Sequence, residues 1–175
     1  ASTEERQAAN AQTALHKAAY FGEAECIEVL LDHGAAIDSQ DKQGRTPLFY
    51  AVVGQHMECL QVLIDRGANN YPEDRRARGL LHVAATQLGA ESIDLISFLL
   101  QIGHDVDGVD ESGKTSLHWA VMSGNVDAAR ELISRGASVN HVDNQQATPL
   151  HMCGTRNTTD CTQLLLDHVS IDCTT

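Results

Sequence analysis

The sequence has little of several features that specialised proteins need. Only 4% of its 175 residues are aromatic, and no apolar run approaches the roughly 18 residues that a membrane-spanning helix requires. Positive charge is also scarce, because 12 Lys and Arg residues face 24 Asp and Glu residues and leave a net charge of −12. This charge has the wrong sign for attraction to a phosphate backbone. We therefore expect a soluble chain that neither inserts into a membrane nor binds nucleic acid.

The five cysteines form neither a zinc pattern nor a disulfide framework. No two of them are spaced as C-x-x-C, and their number is odd. Free thiols are typical of reducing compartments, and residues 1–12 lack the apolar stretch of a signal peptide. We expect a cytoplasmic location, with the nucleus as the alternative.

The motifs of several common enzyme classes are missing too. The sequence contains no G-x-S-x-G, no Gly-rich loop ending in Gly-Lys-Ser/Thr, no H-E-x-x-H and no G-x-G-x-x-G. We therefore predict no catalytic site, no cofactor and no bound metal.

What the sequence does contain is a repeat. Five similar segments begin 33, 33, 36 and 33 residues apart, at Thr13, Thr46, Gly79, Thr115 and Thr148. A threonine, followed in two copies by proline, is a typical helix start. Apolar residues then recur at helical spacing, and a glycine follows in the first four copies at the point where a helix can close with a left-handed residue. Each copy predicts two short helices and a turn.

The repeat resembles the ankyrin repeat. Thr148-Pro149-Leu150-His151 matches the T-P-L-H segment of that family, and Gly136-Ala137-Ser138-Val139-Asn140 matches the stretch after its second helix. The resemblance implies an all-α solenoid of stacked helix-turn-helix units with β-hairpin fingers along one edge. It also implies a concave face, made by the inner helices and the fingers, on which members of the family bind other proteins.

We divide the sequence into a cap, five repeats and a tail. The cap covers residues 1–12, where Ser2-Thr3-Glu4-Glu5 fits the start of a short helix. The repeats cover about 13–40, 41–73, 74–109, 110–142 and 143–172, and the tail covers 173–175. The third repeat has three extra residues within Thr86–Ile93, which we expect to lengthen its inner helix or the loop after it. The fifth repeat has Val169 in place of glycine, and its residues 154–158 make a poor helix interior. We therefore expect the fifth repeat to be the least stable.

Three residue types recur in register, and we expect structural roles for all of them. They are His16, His82, His118 and His151; Cys26, Cys59 and Cys161; and Asp41, Asp74, Asp110 and Asp143. The resemblance implies that the imidazoles tie their own turn to a neighbouring hairpin. The thiols suit small buried positions, and the carboxylates suit bonds to backbone N–H groups of the finger turns. Equivalent residues of neighbouring repeats lie on the order of 10 Å apart, too far to share a metal ion.

The candidate partner-binding residues fall into two sets. The finger tips carry Lys42, Arg45, Arg75, Arg76, Arg78 and Lys114, half of all basic residues in the sequence. They either keep the fingers soluble or bind an acidic segment of a partner. The inner helices contribute Tyr20, Phe21, Val53, Trp119, Met122 and Arg156, of which the aromatic residues and Met122 are typical interface anchors. Trp119 either packs between repeats or shows an edge to the groove.

We predict a monomeric, non-catalytic module that binds a protein or peptide through its concave face and fingers. It would act as an adaptor or as the substrate-recognition part of a larger protein. The alternative is a regulatory or substrate-docking arm of a larger enzyme such as a kinase or an acyltransferase. A third possibility is a spacer within a longer stack of repeats.

Overall fold

The computed structural model describes residues 10–153 and 159–168, and the regular structure in these ranges is helical. The helices are α1 (Ala14–Phe21), α2 (Ala24–Asp32), α3 (Pro47–Val53), α4 (Met57–Asp65), α5 (Leu80–Ala84), α6 (Ala90–Gln101), α7 (Ser116–Ser123), α8 (Val126–Ser134), α9 (Pro149–Met152) and α10 (Thr159–His168). This succession of five short pairs confirms the predicted all-α helix-turn-helix fold. None of these ten helices is long and apolar enough to cross a membrane. The predicted cap helix, Arg156, Val169 and the tail lie outside the described residues.

The chain forms two compact units, which divide after Leu80. In the first unit, α1 packs against α3 and α2 packs against α4. Its core contains the fully buried side chains of Leu15, Ile27, Leu48, Leu60 and Leu63. In the second unit, α6 packs against α8, α7 against α9 and α8 against α10. Its core contains Leu95, Ile96, Leu99, Leu117 and Leu132. In each unit, helices of successive pairs therefore bury their apolar faces against one another.

The inner helices begin at the threonines that the sequence pattern marks. The Thr46 hydroxyl accepts a hydrogen bond from the Phe49 N–H at 3.4 Å, and Pro47 occupies the first helical position. Before α1, α7 and α9, the threonine N–H instead donates to a histidine Nδ1 three residues later, at 3.1, 3.2 and 3.1 Å. These bonds satisfy backbone or hydroxyl groups that would otherwise be unpaired at a helix start.

The sequence left two outcomes open for the three extra residues of the third repeat, a longer inner helix or a longer loop, and the structure has the longer loop. Helix α5 has five residues, whereas the outer helix α6 has 12, against nine in α2, α4 and α8. Directly after the inner helix, the hydroxyl and the backbone N–H of Thr86 both donate to the Val83 carbonyl, at 2.8 and 3.0 Å. The loop is longer, as expected, and Gly89, at φ 109°, ends it.

The cysteines are buried at two of their three equivalent positions. Cys59 and Cys161 have no exposed surface, and burial raises the pKa of both thiols to about 11. Cys26 is exposed, contrary to our expectation. Cys26 lies in α2, which covers one side of α4. Among the described helices, none covers α2 in the same way.

Candidate functional site

Four fingers are closed by the same aspartate arrangement. In each, one carboxylate oxygen accepts hydrogen bonds from the backbone N–H groups two and four residues later, at 2.8 to 3.0 Å; the aspartates are Asp41, Asp74, Asp110 and Asp143. The predicted role of the finger aspartates is therefore confirmed. The fingers are tight turns, and the described residues contain a single isolated β-bridge, between Val109 and Thr115.

The third residue after each aspartate has a positive φ. Gly44 and Gly113 adopt it without strain. A Cβ on Gly113 would lie 2.6 Å from the Asn144 side-chain oxygen, so glycine is also needed there for space. Ala77 and Gln146 take the same conformation at φ 54° and 61°, which costs roughly 1 kcal/mol for a residue with a Cβ.

The second oxygen of each aspartate binds a side chain that the sequence analysis assigned to partners. Arg45 donates to Asp41 at 2.7 and 2.9 Å, and Arg78 donates to Asp74 at 2.6 and 2.9 Å. The Trp119 indole N–H donates to Asp110 at 3.0 Å, and Lys114 pairs with Asp143 at 2.9 Å. Arg45, Arg78 and Lys114 thus have ion-pair partners within the chain, and their role in partner binding stays a prediction.

Hydrogen bonds lower the pKa of three finger carboxylates, those of Asp41, Asp110 and Asp143. Burial by itself would raise the pKa of Asp41, but bonds from Arg45 and Tyr50 bring it below its ordinary value. The Lys114 ammonium lowers the pKa of Asp143 to about 2. The fingers are therefore charge-assisted turns at neutral pH.

The imidazoles tie inner helices to the following fingers, as the resemblance implied. The Nε2 atoms of His16, His82 and His118 lie 3.0, 3.1 and 3.1 Å from the carbonyl oxygens of Arg45, Lys114 and Ala147. Because Nδ1 accepts from the threonine N–H at His16 and His118, Nε2 carries the proton and donates. Burial lowers the pKa of both rings, which favours this neutral form.

The first unit carries a cluster of three aromatic residues, Tyr20, Phe21 and Tyr50, which we call the aromatic surface. The Tyr20 ring lies 5.1 Å from that of Phe21 and 6.2 Å from that of Tyr50, edge to face in both cases. Tyr20 is 42% and Phe21 66% exposed. Together with Gln12, His16 and Lys17, these rings line an open cavity of about 290 Å³. The two predicted aromatic anchors are thus side by side and accessible.

Tyr50 connects the aromatic surface to the fingers, and the sequence analysis missed it. The Arg45 guanidinium lies 4.9 Å above its ring, and its hydroxyl donates to Asp41 at 2.8 Å. The signal available in the sequence is its position nine residues after the finger aspartate, which is also the position of Trp119 after Asp110.

The tips of the first two aspartate-closed fingers carry three exposed cations. The Arg75 N–H donates to the Gln43 carbonyl at 2.8 Å, so the first two aspartate-closed fingers lie against each other. The side chains of Lys42, Arg75 and Arg76 are exposed. Among the described residues they form no ion pair. We call Lys42, Arg75 and Arg76 the free tip cations.

The remaining candidates are less accessible. Val53, Trp119 and Met122 are half-buried. In the described part of the chain, no group of three or more His, Cys, Asp or Glu side chains is placed to hold a metal ion.

A sequence model described as ankyrin repeats (3 copies) matches residues 2–74 and 81–175. The chain belongs to the ankyrin-repeat family. Over 141 residues, these ankyrin repeats are 32% identical to the neurogenic locus notch homolog protein 1 of Danio rerio and 34% identical to that of Xenopus tropicalis. They are 32% identical over 135 residues to the neurogenic locus notch homolog protein 2 of Homo sapiens.

These alignments take in most of the ankyrin repeats but little of the relatives. They cover 81, 81 and 77% of this chain and 6, 6 and 5% of the three relatives. The chain therefore corresponds to a small part of each of those proteins. The ankyrin fold that its repeat predicted is confirmed.

Proposed function

We propose that this ankyrin-repeat chain is a protein-binding module that recognises an extended partner segment across the aromatic surface and the free tip cations of its first unit. Ankyrin membership supports the general role, a protein–protein interaction module without catalysis. The observation that supports this particular surface is its continuity: contacts lead from Phe21 through Tyr20 and Tyr50 to Arg45, in the finger that also carries Lys42. The module would serve as the recognition part of an adaptor or of a larger protein.

The aromatic surface fits an apolar or aromatic side chain of the partner. Exposed aromatic rings beside an open cavity are typical anchor sites, because they bury large areas and lose little side-chain entropy. Tyr50 is held in place because its hydroxyl donates to Asp41 and the Arg45 guanidinium lies over its ring. A bound residue would therefore meet a preorganised wall, which reduces the entropic cost of binding.

The free tip cations fit acidic residues of the same segment. Their charges are exposed and unpaired among the described residues, whereas Arg45 and Arg78 are neutralised by Asp41 and Asp74. Arginine forks bind carboxylates in two-pronged geometry. The partner segment would thus carry an apolar anchor and, some residues away, an acidic stretch.

Selection of peptides from a random library displayed on phage tests this proposal. The selected peptides should combine an aromatic or large aliphatic residue with several Asp or Glu residues. Arg75→Glu with Arg76→Glu should weaken their binding at least tenfold, mainly by slowing association, and reduce its dependence on salt. Tyr20→Ala should weaken binding mainly by speeding dissociation.

The matched control is Glu91→Lys with Asp94→Lys, two exposed acidic residues of the outer helix α6. This variant also changes the net charge by four units but leaves the proposed surface untouched, so its effect should stay within about 1 kcal/mol. If it abolishes binding while the arginine variant retains it, the proposed surface is wrong.

A further inference from the structure

The turn between α3 and α4 has its glycine in an unexpected place. The left-handed position that follows the inner helix in the first, second and fourth repeats is occupied by Gly22, Gln55 and Gly124, with φ of 83, 61 and 73°. Glycine adopts this conformation without strain, whereas a residue with a Cβ such as Gln55 does not. The second repeat instead has glycine one residue earlier, at Gly54, where φ is −79° and the backbone conformation suits any residue.

Space explains the glycine at position 54. A Cβ on Gly54 would lie 2.4 Å from the carbonyl oxygen of Tyr20 and 2.6 Å from the Cδ2 atom of His56, closer than such contacts occur in proteins. The Tyr20 oxygen belongs to the backbone of α1, so it cannot rotate away as a flexible side chain can. The equivalent residues of the first and fourth repeats, Phe21 and Ser123, carry side chains. Gly54 is therefore fitted to the end of α1.

The His56 side chain packs against the same helix end. A Cβ on Gly22 would lie 2.7, 2.8 and 3.0 Å from the Nδ1, Cε1 and Cγ atoms of His56, so the imidazole lies against Gly22. His56 directly precedes α4, but its side chain does not cap that helix. Its equivalent in the fourth repeat, Asn125, also reaches back to the preceding repeat, where it donates to the Gln87 carbonyl. In both units, a side chain at this position contacts the segment that ends the previous inner helix.

The helix end that His56 contacts carries two of the three rings of the aromatic surface. Tyr20 and Phe21 are the last residues of α1, and the N–H of the C-cap residue Gly22 donates to the Ala18 carbonyl. Both rings are exposed. Because their side chains project from the last turn of α1, the positions of the two rings follow the backbone of that turn. Whatever fixes this backbone therefore also fixes the aromatic surface.

We infer that His56 and Gly54 are positioning residues, which fix the Tyr20–Phe21 end of α1 and so preorganise the aromatic surface for its partner. This inference rests on the function proposed above, because it concerns the same surface. The His56 ring supports the C-cap of α1, and the missing side chain of Gly54 lets the Tyr20 carbonyl lie against the next repeat. Preorganised rings lose less entropy on binding. The support should therefore prolong the bound state more than it speeds association.

Gly54→Ala tests the inference with the smallest possible change. Gly54 has right-handed helical angles, φ −79° and ψ −8°, so alanine would ordinarily leave the protein equally stable or more stable. Here the added Cβ should displace the Tyr20 carbonyl, lower the melting temperature and speed dissociation of the phage-selected peptides at least tenfold. Association should change less than threefold, and surface plasmon resonance on the full chain measures both rates. Unchanged dissociation would overturn the inference.

Two glycines with the same backbone conformation isolate the contact with His56. Gly22 and Gly34 both have φ 83°, but a Cβ on Gly34 would meet nothing within 4 Å among the described residues. Alanine therefore adds similar backbone strain at both positions, and only Gly22→Ala adds a clash with the imidazole. Gly22→Ala should lower the melting temperature more than Gly34→Ala does, and this difference should disappear in a His56→Ala background. A difference that persists without the imidazole would contradict the assigned contact.

His56→Ala links the contact to binding. It should speed peptide dissociation at least tenfold and accelerate hydrogen exchange of residues 20–23, and His56→Phe, which keeps a ring, should restore most of both. Asn125→Ala is the matched control, because it removes the equivalent side chain from the second unit and should leave peptide dissociation unchanged. If Asn125→Ala speeds dissociation as much as His56→Ala, the effect reflects general stability and the positioning role is wrong.

The positioning role and the proposed function fail in different ways. If peptides bind the wild type and His56→Ala with equal lifetimes, the proposed function stands and the positioning role is wrong. If no selected peptide binds the wild type, the proposed function is wrong. Hydrogen exchange then decides the positioning role, because unchanged exchange of residues 20–23 in His56→Ala would overturn it.

Discussion

Asp143 shows at the scale of a single residue how much one side chain can organise. Its two oxygens receive the backbone N–H groups of Gln145 and Ala147 and the ammonium of Lys114, which belongs to the preceding finger. Hydrogen bonds to a charged group contribute more than neutral ones, about 1.5 to 3 kcal/mol. Asp143 therefore closes its own turn and fastens it to its neighbour.

Asp143→Asn should lower the free energy of unfolding at pH 7 by about 2 kcal/mol, because the ion pair with Lys114 is lost. The folded pKa of about 2 lies below the ordinary value of 3.8. The carboxylate therefore contributes its full stability above about pH 5, and this contribution is lost as the pH falls towards 2. Urea unfolding at a series of pH values measures the difference between the two proteins.

Asp127→Asn is the control for this pH series, because Asp127 is exposed on α8. Its effect should be small and should not vary with pH in the same way. A difference between wild type and Asp143→Asn that stays constant down to pH 2 would contradict the assigned role of the ion pair.

For single residues, the sequence predicts the interactions that recur in every repeat. It does not predict which side chain binds the second carboxylate oxygen of each finger aspartate. Recurrence in register was enough to assign the aspartates, since equivalent positions have equivalent surroundings, whereas the role of the histidines was implied by the resemblance to ankyrin repeats. The same argument failed for Cys26, which lacks the covering helix that its equivalents have. The sequence analysis also missed the pairing of Arg45 with Asp41. The sequence alone does not show whether an arginine side chain folds back onto its own finger or points into solvent.

Among the elements, the loop between α5 and α6 is held by a residue of another repeat. The buried Asn125 side chain donates to the Ala85 carbonyl at 3.3 Å and to the Gln87 carbonyl, and it accepts from the Ala128 N–H at 3.1 Å as the N-cap of α8. The Ser92 hydroxyl donates to the Gly89 carbonyl at 2.8 Å on the far side of the loop. The inserted residues are therefore anchored at both ends.

Asn125→Ala should destabilise the chain by about 2 to 3 kcal/mol, because it removes a helix cap and leaves two carbonyl groups without this donor. Hydrogen exchange of residues 85–89 should become faster at the same time. Asn140→Ala, at an exposed asparagine, is the matched control and should change stability by less than about 0.5 kcal/mol. Unchanged exchange in the loop of the Asn125 variant would show that Asn125 does not anchor it.

The position of the insertion was predictable from the sequence, and its structural result was predictable only in part. A shift of the period from 33 to 36 residues locates the extra residues, but it does not reveal which helix gains them. The loop that results is bonded locally by Thr86 and Ser92 and from a distance by Asn125. Those long-range contacts leave no periodic trace in the sequence.

For the whole molecule, stability should vary along the chain because each repeat is supported only by its neighbours. Helix α8 packs between α6 and α10, whereas α10 packs against α8 and the short helix α9. The amides of α10 should therefore exchange with solvent at least tenfold faster than those of α8, as hydrogen exchange with mass spectrometry can measure. Equal protection of the two helices would indicate that the second unit unfolds in a single cooperative step.

The finger turns also make the chain a candidate scaffold for engineered binders. The aspartate fixes each turn with backbone bonds, so the two residues that follow it contribute little to the fold through their side chains. These positions are Lys42 and Gln43, Arg75 and Arg76, Glu111 and Ser112, and Asn144 and Gln145. Most of them can be randomised together without altering the core. Ser112, which also bonds Asp110, and Asn144, which contacts Gly113, would be the exceptions to keep.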